Sequence, residues 1–154
     1  MARADHLHEK FMEYREQVFG PAYEHEKAAL QRYTPELLLG LRLDDPYFGL
    51  EGYRRMQETY PQKCAYVGEP ALRELLRTGL RLTQRHAMRT DKGLPLTVTL
   101  LFALGHGCFT DPQFPWVESG VSGKDGMEAG QRIDRLASRF RSFLSEALAA
   151  MEQG

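Results

Sequence analysis

Cysteine is scarce in this 154-residue chain, and the two present, Cys64 and Cys108, stand far apart with no CxxC spacing. A zinc knuckle and a dithiol redox motif are thereby excluded, and at most one disulfide is available. Lysine is scarce too, confined to positions 10, 27, 63, 92 and 124, so the cations are almost all arginine. Charge of one sign is lacking altogether: 20 Lys+Arg stand against 21 Asp+Glu, which leaves no global basic field for nucleic acid or an anionic membrane. No apolar run approaches the roughly 20 residues of a membrane span. The opening MARADHLHEKF lacks the apolar core of a secretory signal, so a cytoplasmic protein with free thiols is expected. HExxH, paired ExxH, GxSxG, the Walker loop and GxGxxG are all missing. Neither an enzyme nor a resident cofactor is therefore expected.

What is there is an ordinary globular composition, 42% hydrophobic and 27% charged, at the length of one domain. Proline punctuates it, because the ring fits the first helical turn and is excluded from the interior. Apolar residues at Leu7, Phe11, Tyr14 and Val18 predict a first helix over about 4–19, ended by Gly20-Pro21. A second covers about 22–33. A short third begins at Thr34-Pro35 and carries Leu37, Leu38 and Leu41. A fourth runs from about Pro46 or Leu50 to Tyr60, with Asp45 as a possible cap and Pro61 as its stop. LPLTVTLLFAL is apolar on every side at helical spacing, which predicts a buried central helix over about 95–104. Its alternation of Leu96, Val98 and Leu100 with Thr97 and Thr99 leaves a strand as the lesser reading. SGVSGKDG, residues 119–126, reads as a flexible loop, and a last helix follows over about 127–151. The expectation is a single all-α domain, 1–154, of six or seven helices packed around the central one.

The fifth helix, about 70–89, is the clearest. At 100° per residue Leu72, Leu75, Leu76, Gly79, Leu80, Leu82, Thr83, His86 and Ala87 fall on one arc of roughly 160°. The other arc holds Arg73, Arg77, Arg81, Arg85 and Arg89. Like charges four apart repel, and Glu74 offers one local partner, to Arg77. Acidic residues of other helices or an acidic partner protein would answer the rest, unless the stripe is simply a solvated face. A phosphate backbone fits less well, with few aromatics interleaved.

The stretch LGHGCFTDPQFPWVE, residues 104–118, gathers the remaining chemistry. Gly105 and Gly107 suit a sharp helix end, and Thr110 or Asp111 can cap a following helix with Pro112 in its first turn. Pro115 holds Phe114 extended, so that helix is expected late or very short. Phe114 and Trp116 supply apolar area, either as a lid on the core or as a patch for another protein. His106 and Cys108 form a tempting nucleophilic pair, but no third group orients them. A ligand-, metal- or haem-binding protein centred on His86 or His106 is the second reading. A lone histidine on an apolar face is more often a hydrogen-bonded core residue.

The run Gly93 to Trp116, an apolar helix followed by LGHGCFTDPQFPW, resembles a group of small helical proteins encoded beside bacterial type VI secretion effector genes. That resemblance implies a non-catalytic role, binding a secreted effector as an immunity, adaptor or accessory protein. On the arginine reading, such an effector would present an acidic surface.

Overall fold

The computed structural model describes residues 2–42, 44, 46–123 and 126–153, and it is all-helical, with no strand among them. Helix α1 (Ala2–Tyr14) runs into a π-helical turn, Arg15–Phe19. A 3-10 turn at Pro21–Tyr23 leads to α2 (Glu24–Arg32). There follow α3 (Phe48–Thr59), α4 (Pro61–Val67), α5 (Glu69–Arg85), α6 (Gly93–Leu104), α7 (Pro115–Val121) and α8 (Ala129–Gln153). They form one domain, as expected. None of these helices is long and apolar enough to cross a membrane.

Helix α6 is the centre because its sequence leaves it no polar face. Every residue from Gly93 to Phe102 is buried. The two threonines that permitted a strand reading are satisfied within the helix: the Thr97 hydroxyl donates to the Gly93 carbonyl at 2.8 Å and the Thr99 hydroxyl to the Pro95 carbonyl at 2.7 Å. Helix α5 packs along α6, while α8 covers α6 from another side and carries α7 and α2. Leu72 and Leu76 of α5 and Ile133, Leu136, Phe140 and Leu144 of α8 close the core.

The α5–α6 approach depends on Gly79, where an added Cβ would lie 2.4 Å from Val98 Cγ2. Alanine ordinarily strengthens a helix by up to ~1 kcal/mol over glycine. Here overpacking outweighs that gain, and Gly79→Ala is expected to destabilise by about 1–2 kcal/mol. At Gly130 of α8, where nothing lies within 4 Å of the added atom, the same change is expected to stabilise. Urea midpoints moving in opposite directions are the check.

Several expected elements are corrected. The third helix does not form: 35–40 are successive turns, closed by bonds such as Leu37 N–H to Thr34 O and Leu41 N–H to Leu38 O. Gly40, at φ 90, cannot continue a right-handed helix, yet Leu38 and Leu41 still reach the core. Asp45, the supposed cap of the fourth helix, lies outside the described residues, and α3 begins at Phe48. Pro61 ends α3 and also opens α4, a helix the pattern did not reveal. Helix α5 stops at Arg85 because Ala87 turns left-handed, so Arg89 leaves the helix. In the expected loop, residues 119–121 belong to α7, and Lys124 and Asp125 lie outside the described residues. Leu7 and Phe11 are 63% and 57% exposed, and α1 buries nothing. Its apolar stripe meets the core only further on, at half-buried Tyr14 and at Val18.

Candidate functional site

Helix α5 presents its arginines outward because its leucines are drawn onto α6. Arg73 reaches Glu69 at 2.7 Å, Arg77 reaches Glu74 at 3.2 Å, and Arg81 reaches Glu74 at 3.4 Å and Thr78 Oγ1 at 3.0 Å. Both carboxylates belong to α5 itself. Among the described residues no acid of another helix comes within ion-pair distance of Arg73, Arg77, Arg81, Arg85 or Arg89. The side chains of Arg77 and Arg81 are 70% and 68% exposed, so their pairs contribute little to stability. Four arginines of α5, Arg73, Arg77, Arg81 and Arg85, against its two carboxylates leave a cationic face turned to solvent.

The segment after α6 is built as a relay of turns. Gly105, at φ 107, ends the helix with its N–H on the Leu101 carbonyl at 3.0 Å. Gly107 accepts from Thr110 N–H at 3.1 Å. Asp111 does not cap a helix: its Oδ1 accepts the Gln113 N–H at 2.8 Å and its carbonyl the Phe114 N–H at 3.0 Å, so Asp111 and Pro112 shape a turn. Helix α7 starts late, at Pro115, and spans 7 residues; Phe114 is not extended as expected but sits at φ −123 and ψ 60, still outside the helical region. Phe114 meets Phe143 of α8 edge to face at 5.7 Å, and Trp116 lies 5.9 Å from the same ring. Both aromatics are half-buried and roof this chain's own core.

The histidines and cysteines separate. His86 stacks on Phe109 at 5.8 Å. Burial, with Arg85 and Arg132 nearby, holds its imidazole below the usual histidine range. His106 is exposed, while Cys108 is buried, its thiol donating to the Leu100 carbonyl at 3.7 Å. Burial pushes that thiol up to about 12, so it carries no thiolate at neutral pH and the His106–Cys108 pair has no nucleophile. Among the described residues no group of three or more His, Cys, Asp or Glu is placed to hold a metal ion.

One site escaped the sequence. A groove of about 650 Å³ opens between α4, α5 and the end of α6. Its walls include Val67, Ala71 and Leu75 over the buried Leu72 and Leu101, and its charged and imidazole groups are Lys63, Glu74, Arg81 and His106. Lys63 donates to the Phe102 carbonyl at 2.5 Å, one of the open carbonyls in the last turn of α6, and its ammonium lies 5.2 Å from the Phe102 ring centre. Burial pushes this amine down to about 8, only partly offset by Cys64 and Glu26. Beyond Phe102 the Tyr33 hydroxyl is buried without a hydrogen-bond partner. The only trace of this in the sequence was a lysine two residues after Pro61 in an arginine-rich chain. No known protein family, curated protein or solved structure matches the chain.

Proposed function

We propose that this protein is a non-catalytic protein-binding module whose α5 arginine face receives an acidic surface of a partner. One observation supports it above the others: among the described residues, the arginines of that face are answered only by Glu69 and Glu74 of the same helix. A cation row in excess of the carboxylates around it mildly opposes helix formation. An acidic partner would relieve that repulsion and gain association rate by electrostatic steering. The resemblance of segment 93–116 supplies the partner class, a bacterial secreted effector, with this chain as its immunity or adaptor protein. The aromatic junction plays a smaller part in this reading, since Phe114 and Trp116 lean on Phe143.

The test is calorimetric titration with the product of the gene adjacent to its own. A 1:1 complex that weakens steeply with salt is expected, and Arg73→Glu with Arg77→Glu should weaken it at least tenfold with the helical circular dichroism unchanged. Trp116→Ala is expected to lower the melting temperature and leave affinity within about threefold. Unchanged affinity in the arginine double variant removes α5 as the binding surface.

A further inference from the structure

We propose that the groove between α4, α5 and the end of α6 is a binding site for an amphiphilic carboxylate, an acyl chain whose acid group pairs with Lys63. This site does not depend on the arginine face being a protein-binding surface.

The groove combines an apolar wall with a cation that its own fold leaves short of partners. An ammonium carries three donors. Lys63 uses one on the Phe102 carbonyl and turns toward the Phe102 ring, and among the described residues no carboxylate lies within ion-pair distance of it. Glu26 acts on it only from further away, and that carboxyl is itself held above the usual range by burial. A half-buried cation without a close counter-charge is costly, and the depressed amine expresses that cost.

The other charges of the groove point the same way. Glu74 is its only acid, and it is already engaged by Arg77 and Arg81. Arg81 and His106 add cationic and hydrogen-bonding capacity at the rim. An anion is therefore favoured over a cation or a neutral group. Val67, 36% exposed, exposed Ala71 and half-buried Leu75 require that the anion carry an apolar body, because water against those side chains is the unfavourable alternative. A volume of about 650 Å³ falls within the range of small-ligand sites, ~300–1,000 Å³. The carboxylate would accept the two remaining Lys63 donors while the chain lies along Val67, Ala71 and Leu75, completing the ion pair and covering that apolar surface in one step.

Three isosteric probes separate charge from hydrophobicity: decanoate, decanol and decyltrimethylammonium, each titrated calorimetrically into the full chain below its micelle concentration. Decanoate is expected to bind at one site, at least tenfold tighter than decanol, with decyltrimethylammonium weaker than both. Lys63→Met should cost decanoate at least tenfold and leave decanol within twofold. A second measurement needs no variant: with the lysines carrying 13C-methyl labels, decanoate should shift the Lys63 resonance and leave Lys10 and Lys27 in place. Arg73→Glu with Arg77→Glu should not change decanoate affinity, since neither residue lines the groove. Equal affinities for decanoate and decanol, or an unmoved Lys63 resonance at saturation, would overturn the proposal whatever the fate of the protein-binding reading.

Discussion

Replacing Arg132 by alanine is expected to lower the stability of the domain by about 3 kcal/mol, although the residue lies on a surface helix and forms no salt bridge among the described residues. The residue is only 7% exposed, and its guanidinium donates to carbonyls of two other segments. Nη1 reaches the His86 carbonyl at 3.0 Å and the Val121 carbonyl at 2.8 Å, and Nη2 reaches the Ala87 carbonyl at 3.3 Å. The Val121 oxygen closes α7, and those of His86 and Ala87 lie in the cap just past α5, where a helix end concentrates carbonyls without internal donors and the negative end of its dipole. One planar cation therefore serves two helix termini and ties both to α8. Truncation strands three acceptors in a poorly hydrated place, each at a cost of about 1 kcal/mol or more.

The conservative variants sharpen the expectation. Arg132→Met keeps the aliphatic stem and loses every donor, so it should fall close to alanine. Arg132→Lys keeps the charge but cannot fork between oxygens on separate helices, and should recover less than half of the loss. The measurement is the urea midpoint at constant m-value, with hydrogen exchange at residues 86–93 as the local reporter. A loss under 1 kcal/mol for Arg132→Ala would show that water replaces the guanidinium and that the three-way tie contributes little.

Arg132 also shows which parts of this protein were readable in advance. Sequence pattern marks it only as a cation on α8, because its acceptors lie 46, 45 and 11 residues away along the chain. Lys63 was hidden for the same reason. Its character comes from the end of α6 arriving above it, and α4 was concealed because Pro61 reads equally well as a stop and a start. Where the cause is local, the reading carries. The apolar girdle of α6 specifies its burial, Pro115 specifies the late start of α7, and the spacing of the arginines specifies an outward face. A stripe such as Leu7 and Phe11 predicts a face but names nothing to cover it, and in the structure that face stays open. The cationic face of the candidate site was thus legible, whereas the groove beside it depends on contacts between segments remote in sequence.

The same remote contacts make the domain sensitive to alkali, and stability is expected to fall by on the order of 3 kcal/mol between pH 9 and pH 11. Burial pushes Cys64 up to about 11 and Cys108 up to about 12, against an ordinary thiol value of 9.0. Above pH 9 the unfolded chain releases both protons while the folded chain keeps them. The stability those thiols contribute is complete below pH 9 and is lost as pH rises toward 11 and 12. Lys63 acts in the opposite sense. Its folded amine releases a proton near 8 and its unfolded amine near 10.5, so it adds stability between those values, one group against two. From pH 10 upward Tyr14, Tyr33 and Tyr60, all held above the usual phenol range chiefly by burial, join the thiols and steepen the fall. These opposing signs give a test that general surface repulsion at high pH would not mimic. In the Cys64→Ala, Cys108→Ala double variant, Lys63 becomes the dominant shifted group from about pH 8.5 to 9.5, below the ordinary tyrosine value of 10.0. The slope of stability against pH should then turn from negative to positive, and adding Lys63→Met should flatten it. Urea midpoints at half-unit steps from pH 8 to 11 read all three slopes. Parallel curves for the wild type and the double variant would mean that the buried thiols do not govern the alkaline limit.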